Sequence, residues 1–405
     1  MREAYIVQSV RTPGCRRARG AFAQTRPEDL LKAALNGLME RTPGVEKKDV
    51  EDILVGCAFP EAEQGLNIGR IIAQMCKFPD DTCGATVNRF CASGLEAISL
   101  QAMRIMAGMC DVAIGGGLES MSIVPMGGNM PRPHPDWAKE NPDVYISMGM
   151  TAENVANRYK ITREMQDRFG YSSQMKAAKA QKEGKFKEIV PVEAVRFKEK
   201  DGILVKETFI QDFDDGVRAD TTIEGLSKLR PAFAAMGSVT AGNSSQTTDG
   251  AAATLLMSGE AVKKFGVKPI AKFKAYVVAG CRADEMGVGP AYAIPKLLKV
   301  TGLGTAADIA KDAIFEINEA FASQAIYCLQ QIGLYDDKYH WFESDERIVN
   351  VNGGAIALGH PLGCTGAKLC AQLMTEMQAR KKKWGIESMC IGGGMGAAAL
   401  FELCD

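Results

Sequence analysis

Histidine is scarce in this chain: 3 in 405 residues, beside 12 cysteines and 3 tryptophans. No cysteines or histidines stand in paired ligand spacing, so neither a structural zinc site nor any other metal is expected. Long apolar runs are missing as well. Nothing approaches the roughly 18–20 residues that cross a bilayer as a helix, so no membrane span is expected. Excess charge is absent, with 48 basic against 49 acidic side chains and a formal net charge of -1. That balance argues against a nucleic-acid binder working through bulk charge, which needs a concentrated basic surface. The opening residues, MREAYIVQSVRTPG, run directly into a strand-like pattern, so neither signal peptide nor anchor is expected. With cysteines that read mostly as reduced core residues, this points to a reducing, cytoplasmic location. Cys57, Cys76, Cys83, Cys110, Cys281, Cys328 and Cys370 lie in apolar surroundings and read as small core residues.

What is present is enough apolar sequence, 46% of residues, for two or three globular units. Short branched runs alternate with helical patterns, which predicts an α/β fold with a parallel or mixed sheet covered by helices. Strands are expected over 52–58, 83–88 and 110–117, with an apolar helix between the last two. A second strand, glycine loop, helix and strand follow at 347–352, 368–383 and 387–394. Val87-Asn88 matches Val351-Asn352, and Ala113 to Gly117 matches Cys390 to Gly394, which suggests a duplicated unit with its copies facing each other. Between them the composition turns charged. The predicted organisation is a first core half at 1–122 plus 249–275, an inserted and more solvated region at 123–248 suited to a large polar substrate, and a second core half at 276–405.

Three residues in glycine-flanked settings suggest acyl transfer through sulfur. His360 lies in NVNGGAIALGHPLGCTGA, and its place before Pro361 biases it away from a helix interior. Cys91 lies in NRFCASGL where a strand passes into a helix, so unpaired amides and the helix dipole could stabilise a thiolate, and an imidazole from the other half could take its proton. The plain alternative for Cys91 is a buried structural thiol. Cys390 begins CIGGGMG, whose amides, Gly392 in particular, could face an oxyanion or simply form a tight turn. Asn318 and Glu319 fall at another strand-to-helix passage, where an amide usually caps. His134 and His340 read as surface-loop residues.

Taken together, NRFCASGLEA, GGGLESMS, TAGNSSQTTDGAAA, MGVGPAYAIP, NEAFASQ, GGAIALGHPLGCTGA and CIGGGMGAA resemble the thiolase family along almost the whole chain. The segment GMTAENVANRYKITREMQDRFGYSSQMKAAKAQ is most similar to degradative 3-ketoacyl-CoA thiolases. The resemblance implies a duplicated, layered αβαβα fold with an inserted loop domain that binds coenzyme A. It implies that Cys91 is the acylated nucleophile, that His360 deprotonates it, and that Cys390 is acid and base toward the acetyl carbon. Asn318 would fix a water that forms one oxyanion hole with His360, and the amides of Cys91 and Gly392 would form another. Ser245 and Arg218 fall where the family binds CoA, and Met148 and Met286 where it lines the acyl pocket. CoA would be a substrate, with no resident cofactor. The implied reaction is ping-pong thiolysis of 3-ketoacyl-CoA in fatty-acid β-oxidation.

Ser147, where biosynthetic acetoacetyl-CoA thiolases commonly carry histidine, favours the degradative branch, and the lack of a peroxisomal extension or terminal SKL favours a bacterial cytoplasm. The alternatives are a condensing acetoacetyl-CoA thiolase and a non-catalytic CoA-binding protein. Ketoacyl synthases share the duplicated fold but use two histidines with the cysteine. A homodimer or homotetramer is implied, and a hydratase–dehydrogenase subunit is a candidate partner.

Overall fold

The computed structural model describes residues 2–336, 338 and 340–404. Among the described residues ten strands form one extended sheet: the two-residue strand Cys15–Arg16, which pairs with Thr248 and Asp249, and nine longer ones, β1 (Ala4–Arg11), β2 (Asp52–Gly56), β3 (Cys83–Val87), β4 (Val112–Ser120), then β7 (Thr248–Ser258), β8 (Ala271–Gly280), β9 (Ala313–Ile317), β10 (Trp384–Ile391) and β11 (Met395–Leu403). Their spatial order is β9-β10-β11-β8-β1-β7-β4-β2-β3. The intervening β5 (Val192–Lys200) and β6 (Ile203–Gln211) pair only with each other. The sheet is mixed: β2 runs parallel to β3 and β4, and β9 parallel to β10, whereas the strands joining the halves pair antiparallel.

Alternation of side chains assigns the layers. In one outer layer, Leu30, Leu31, Leu35 and Leu38 of helix α1 (Pro27–Glu40) pack on Ile53, Val55, Ile114 and Leu255. The opposite faces, with Ala113 and Leu256, join Met389, Ile391 and Ala397 of the second half around the central helices α2 (Ser93–Met106) and α7 (Leu362–Arg380). Phe315, Ile317, Ile386 and Leu400 face the other outer layer, with α5 (Gly289–Thr301) and α6 (Ala322–Gln331). The order is therefore helix, sheet, helix, sheet, helix. A bulge between Ile6 and Gln8 lets β1 send Ile6 to the central layer but both Val7 and Val10 outward.

Glycine decides how near the two central helices come. A Cβ on Gly366 would lie 2.3 Å from Leu95 N, one on Gly94 2.7 Å from Ala367 N, and one on Gly117 2.2 Å from Gly363 O. Backbone meets backbone at these places, and a side chain would force the halves apart.

Three sequence expectations change. The stretch 347–352 forms only isolated bridges, Val349 to Phe315 and Val351 to Gly353, because Asn350 takes φ 44 and spends its amide on Ile317 and Glu319. The break drawn at 275/276 falls inside β8, which pairs with β11 along its length; the chain turns between halves earlier, where Gly266 ends a short helix at φ 62. Cys83 is exposed and Cys281 half-buried, since β3 is the sheet's outer edge and Cys281 follows the end of β8.

Candidate active site

Cys91 sits in a single 3-10 turn, Phe90–Ala92, that leads into α2. The turn is tightly prescribed. Phe90 takes φ 43, its N–H donates to Asn88 Oδ1 at 2.8 Å, and Ser93 Oγ donates to its carbonyl at 2.7 Å. The thiol is 6% exposed and packs among Ala58, Met121 and Leu362. Burial pushes it up to about 11, opposed by N–H bonds from Gly392 and from its own backbone, with Glu119 pushing it up further. The thiolate expected from the helix start is thus not the resting state, because desolvation outweighs the amides.

His360 is carried on the approach to α7. Gly359, at φ 83, presses against Thr248, and the His360 N–H donates to Gln246 O at 2.9 Å. Its Nδ1 lies 2.6 Å from Thr365 Oγ1, and Thr365 Oγ1 donates to Pro361 O at 3.0 Å. With the hydroxyl proton on the carbonyl, Nδ1–H is the donor to Thr365 and Nε2 is the basic nitrogen. Asn318 Nδ2 stands 3.3 Å from that Nε2, in position to donate to it. Burial first, then Lys368, lowers the imidazole to about 3, so it is neutral.

Cys390 lies on β10 with its thiol fully buried, and its ionisation is opposed by burial and then by the neighbouring Cys91. It shares a cluster with Met286, Phe321, Val239 and Met148. A Cβ on Gly392 would meet Phe90 at 3.5 Å and Met148 Sδ at 3.7 Å, so this glycine lies between the Cys91 turn and Met148. Strands β9 and β10 bring Asn318 alongside, its N–H donating to Ser388 O at 2.9 Å. Asn318 Oδ1 is buried and without a hydrogen-bond partner, an acceptor left for another donor.

The structure thus brings Cys91, Gly392 and Cys390 into one place, pairs Asn318 with His360, ties that pair to the Cys390 strand through the Asn318 N–H on Ser388 O, and sets Met148 and Met286 against Cys390. Ser245 is half-buried and binds through its backbone, N–H to Ala320 O at 2.9 Å. Arg218 lies on an exposed segment, its N–H donating to Gln174 Oε1 at 2.8 Å. His134 is exposed and caps a short helix, and His340 opens another.

Sequence reasoning missed three supporting residues. Thr365 orients the imidazole from within the glycine motif. Gln246, in TAGNSSQTTDG, donates through Nε2 to the carbonyls of Gly216, Ile356 and Ala357 and so clamps the loop before His360. Glu119, in GGGLESMS, is fully buried and accepts backbone N–H groups from both halves. All three lay inside quoted motifs, but their long-range partners were not visible in one dimension.

Comparison with known proteins decides the family. The thiolase N-terminal domain matches residues 4–260 and the thiolase C-terminal domain residues 267–403. The chain belongs to the thiolase family. A 3-ketoacyl-CoA thiolase of Bacillus subtilis is 48% identical over 406 residues, covering 100% of both chains. A human peroxisomal 3-ketoacyl-CoA thiolase is 43% identical over 404 residues, covering 99% of this chain and 91% of that protein. Among solved structures, this thiolase resembles the Bacillus anthracis acetyl-CoA acetyltransferase with TM-score 0.86 at 36% identity, covering 100% and 99% of the two chains. It resembles the dimeric peroxisomal thiolase of Saccharomyces cerevisiae with TM-score 0.84 at 37% identity, covering 99% and 97%.

Proposed function

We propose that this thiolase cleaves 3-ketoacyl-CoA with CoA, giving acetyl-CoA and an acyl-CoA shortened by two carbons, as a step of fatty-acid β-oxidation. The observation that carries the reading is the neutral imidazole of His360, fixed at Nδ1 by Thr365 so that Nε2 is the basic nitrogen. In the proposed cycle Nε2 takes the Cys91 proton as Sγ attacks the 3-keto carbon. The S–C bond forms, the C2–C3 bond breaks, and its electron pair leaves on the acetyl-CoA enolate. Cys390 protonates that carbon, then as thiolate takes the proton of incoming CoA. CoA sulfur attacks the acyl-Cys91 thioester, and Cys91 leaves and recovers its proton from His360. A thiol held up and an imidazole held down keep the resting pair uncharged, so proton transfer is coupled to attack and charge develops only with substrate present.

Asn318 and His360 face one developing oxyanion, directly or through a water, and the Cys91 and Gly392 amides the other. Met148 and Met286 are assigned to the acyl pocket, and Ser245 and Arg218 to CoA. CoA enters as substrate, and the cycle uses no resident cofactor or metal.

The test is a steady-state thiolysis assay across acyl chain lengths, with mass spectrometry of acyl-Cys91 and a Cys91→Ala control. Turnover with an acylated Cys91 peptide is expected. CoA binding without turnover would replace this reading with that of a carrier. The Bacillus anthracis neighbour, an acetyl-CoA acetyltransferase, favours a second reading in which the same groups run the condensation of two acetyl-CoA molecules. Activity confined to acetoacetyl-CoA would select it.

We also infer a homo-oligomer. The outer edge of β3 has no strand beside it among the described residues, and Leu66 near it is 90% exposed. An unpaired edge with an apolar flank suits a second copy, and light scattering at or above twice the 43.6 kDa chain mass is expected. Cytoplasmic location, supported by buried reduced thiols such as Cys57, Cys76 and Cys370, and association with a hydratase–dehydrogenase subunit are proposed with it; co-purification tests the latter. No described helix is long and apolar enough to cross a membrane.

A further inference from the structure

Glu119 closes β4 with a side chain that is 0% exposed. Its Oε2 accepts two backbone N–H groups, Ala58 and Gly363, each at 2.8 Å. These donors belong to opposite halves of the molecule. Ala58 follows β2 and packs against Cys91, and Gly363 is in the first turn of α7, three residues after His360. Oε1 accepts from the Gln64 amide and faces the Cys57 thiol at 3.8 Å. Among the described residues no cation lies within ion-pair distance of this carboxylate, so only amides and the N-terminus of the 19-residue α7 oppose its burial, which still raises it above the usual carboxylate range.

Space around the clamp is already closed. A Cβ on Gly363 would meet Ala58 N at 2.6 Å, Cys57 Cα at 2.6 Å and Glu119 Oε2 at 2.8 Å. A carboxylate oxygen bound to both N–H groups therefore fixes how far the Cys91 turn stands from the His360 turn. Burying an anion without a counter-ion is costly, and stability alone would be served as well by an apolar side chain. The cost makes sense where alignment matters, because a displacement of about 1 Å between reacting groups is worth about 100-fold in rate.

We propose that Glu119 is a positioning residue that sets the Cys91–His360 alignment by holding one backbone N–H from each half on a single oxygen. The activity arm of its test rests on the thiolase reading above; an alkylation arm does not. Glu119→Ala, Glu119→Gln and wild type are compared for kcat, for KM of CoA, and for the rate at which iodoacetamide labels Cys91, read by peptide mass spectrometry on folded protein checked by circular dichroism. Glu119→Ala is expected to lower kcat about 100-fold with KM nearly unchanged, and to slow Cys91 labelling as its base is displaced. Glu119→Gln keeps one acceptor oxygen for Ala58 and Gly363 but turns an NH2 toward the Gln64 amide, so it should recover part of both losses. A merely structural role predicts lower thermal stability with wild-type kcat and labelling per folded molecule, and that result in either variant overturns the proposal, as does a change in KM alone. If Glu119→Ala does not fold, Glu119→Gln decides by the same readouts. An inactive wild type whose labelling still falls in the variants would fault the thiolase reading and leave the clamp standing.

Discussion

The two halves set different groups at matching places. In the first, β3 passes through a 3-10 turn straight into α2, and the Cys91 thiol, the proposed nucleophile, sits on that turn. In the second, the bridges at Val349 and Val351 lead to a one-turn helix, Ala355–Leu358, then Gly359, His360 and Pro361 as N-cap of α7. The extra turn sets the imidazole back from its helix and gives it partners on three sides, at Gln246, Thr365 and Asn318. Duplication supplies two facing helix starts, and the unequal approaches to them place a thiol at one and an imidazole at the other.

The sharpest way to break that comparison is to remove each half's group separately and then both. Cys91→Ala and His360→Ala should each lower kcat by about 10⁴-fold or more, and the double variant should be little worse than either, as for groups that act as a unit. Single-turnover thiolysis checks this. Additive losses would mean that the halves work independently. His360→Ala should also slow, without abolishing, alkylation of Cys91.

Asn318→Ala comes next. Losing one oxyanion-hole donor typically costs about 100- to 1,000-fold in kcat, and the protein should stay folded because Asn318 makes its sheet contact through the backbone N–H. An unchanged kcat would remove Asn318 from the second half's contribution.

The glycine contacts test the scaffold itself. Gly366→Ala would drive a methyl to 2.3 Å from Leu95 N, between the two helices, whereas Gly280→Ala on β8 meets nothing within 4 Å. Overpacking of this kind costs about 1–3 kcal/mol, so Gly366→Ala should lower thermal stability and activity together and Gly280→Ala should change neither. Equal behaviour of the two would show that the helices can separate without loss.

Much of this was legible because motif residues are local. The strands at 52–56, 83–87 and 112–120 and helix α2 follow from periodicity, and Cys91, His360 and Cys390 stood out by their glycine settings. The strand at 347–352 misled because Val-Asn-Val alternates like a strand, while the side chain of Asn350 competes for the backbone of β9. The resting ionisation of Cys91 was hidden for a different reason. A helix start argues for a thiolate, but burial depends on residues brought from Ala58, Met121 and Leu362, far away in sequence.

The smallest expected effect concerns buried acids, where the halves differ again. Asp52 of the first half bonds Gln101 and Arg104 from α2. In the second half Glu316 and Glu387 are register neighbours on β9 and β10, both fully buried, and Glu316 Oε2 and both oxygens of Glu387 have no hydrogen-bond partner. Burial, then Glu376, raises Glu316 to about 8; burial, then Glu316, raises Glu387 well above the usual carboxylate range. The unfolded chain releases these protons near pH 4.5, while the native protein holds the Glu316 proton to about pH 8. Across that window the native state binds more protons, so stability falls as pH rises. Glu387→Leu removes one such group and should raise stability by about 1–3 kcal/mol, the range for an unpaired buried polar group, with a larger gain at pH 8 than at pH 5. Urea unfolding at both pH values reads the difference, and a gain no larger at pH 8 would mean that Glu387 has found a partner and that the second half is as well satisfied as the first.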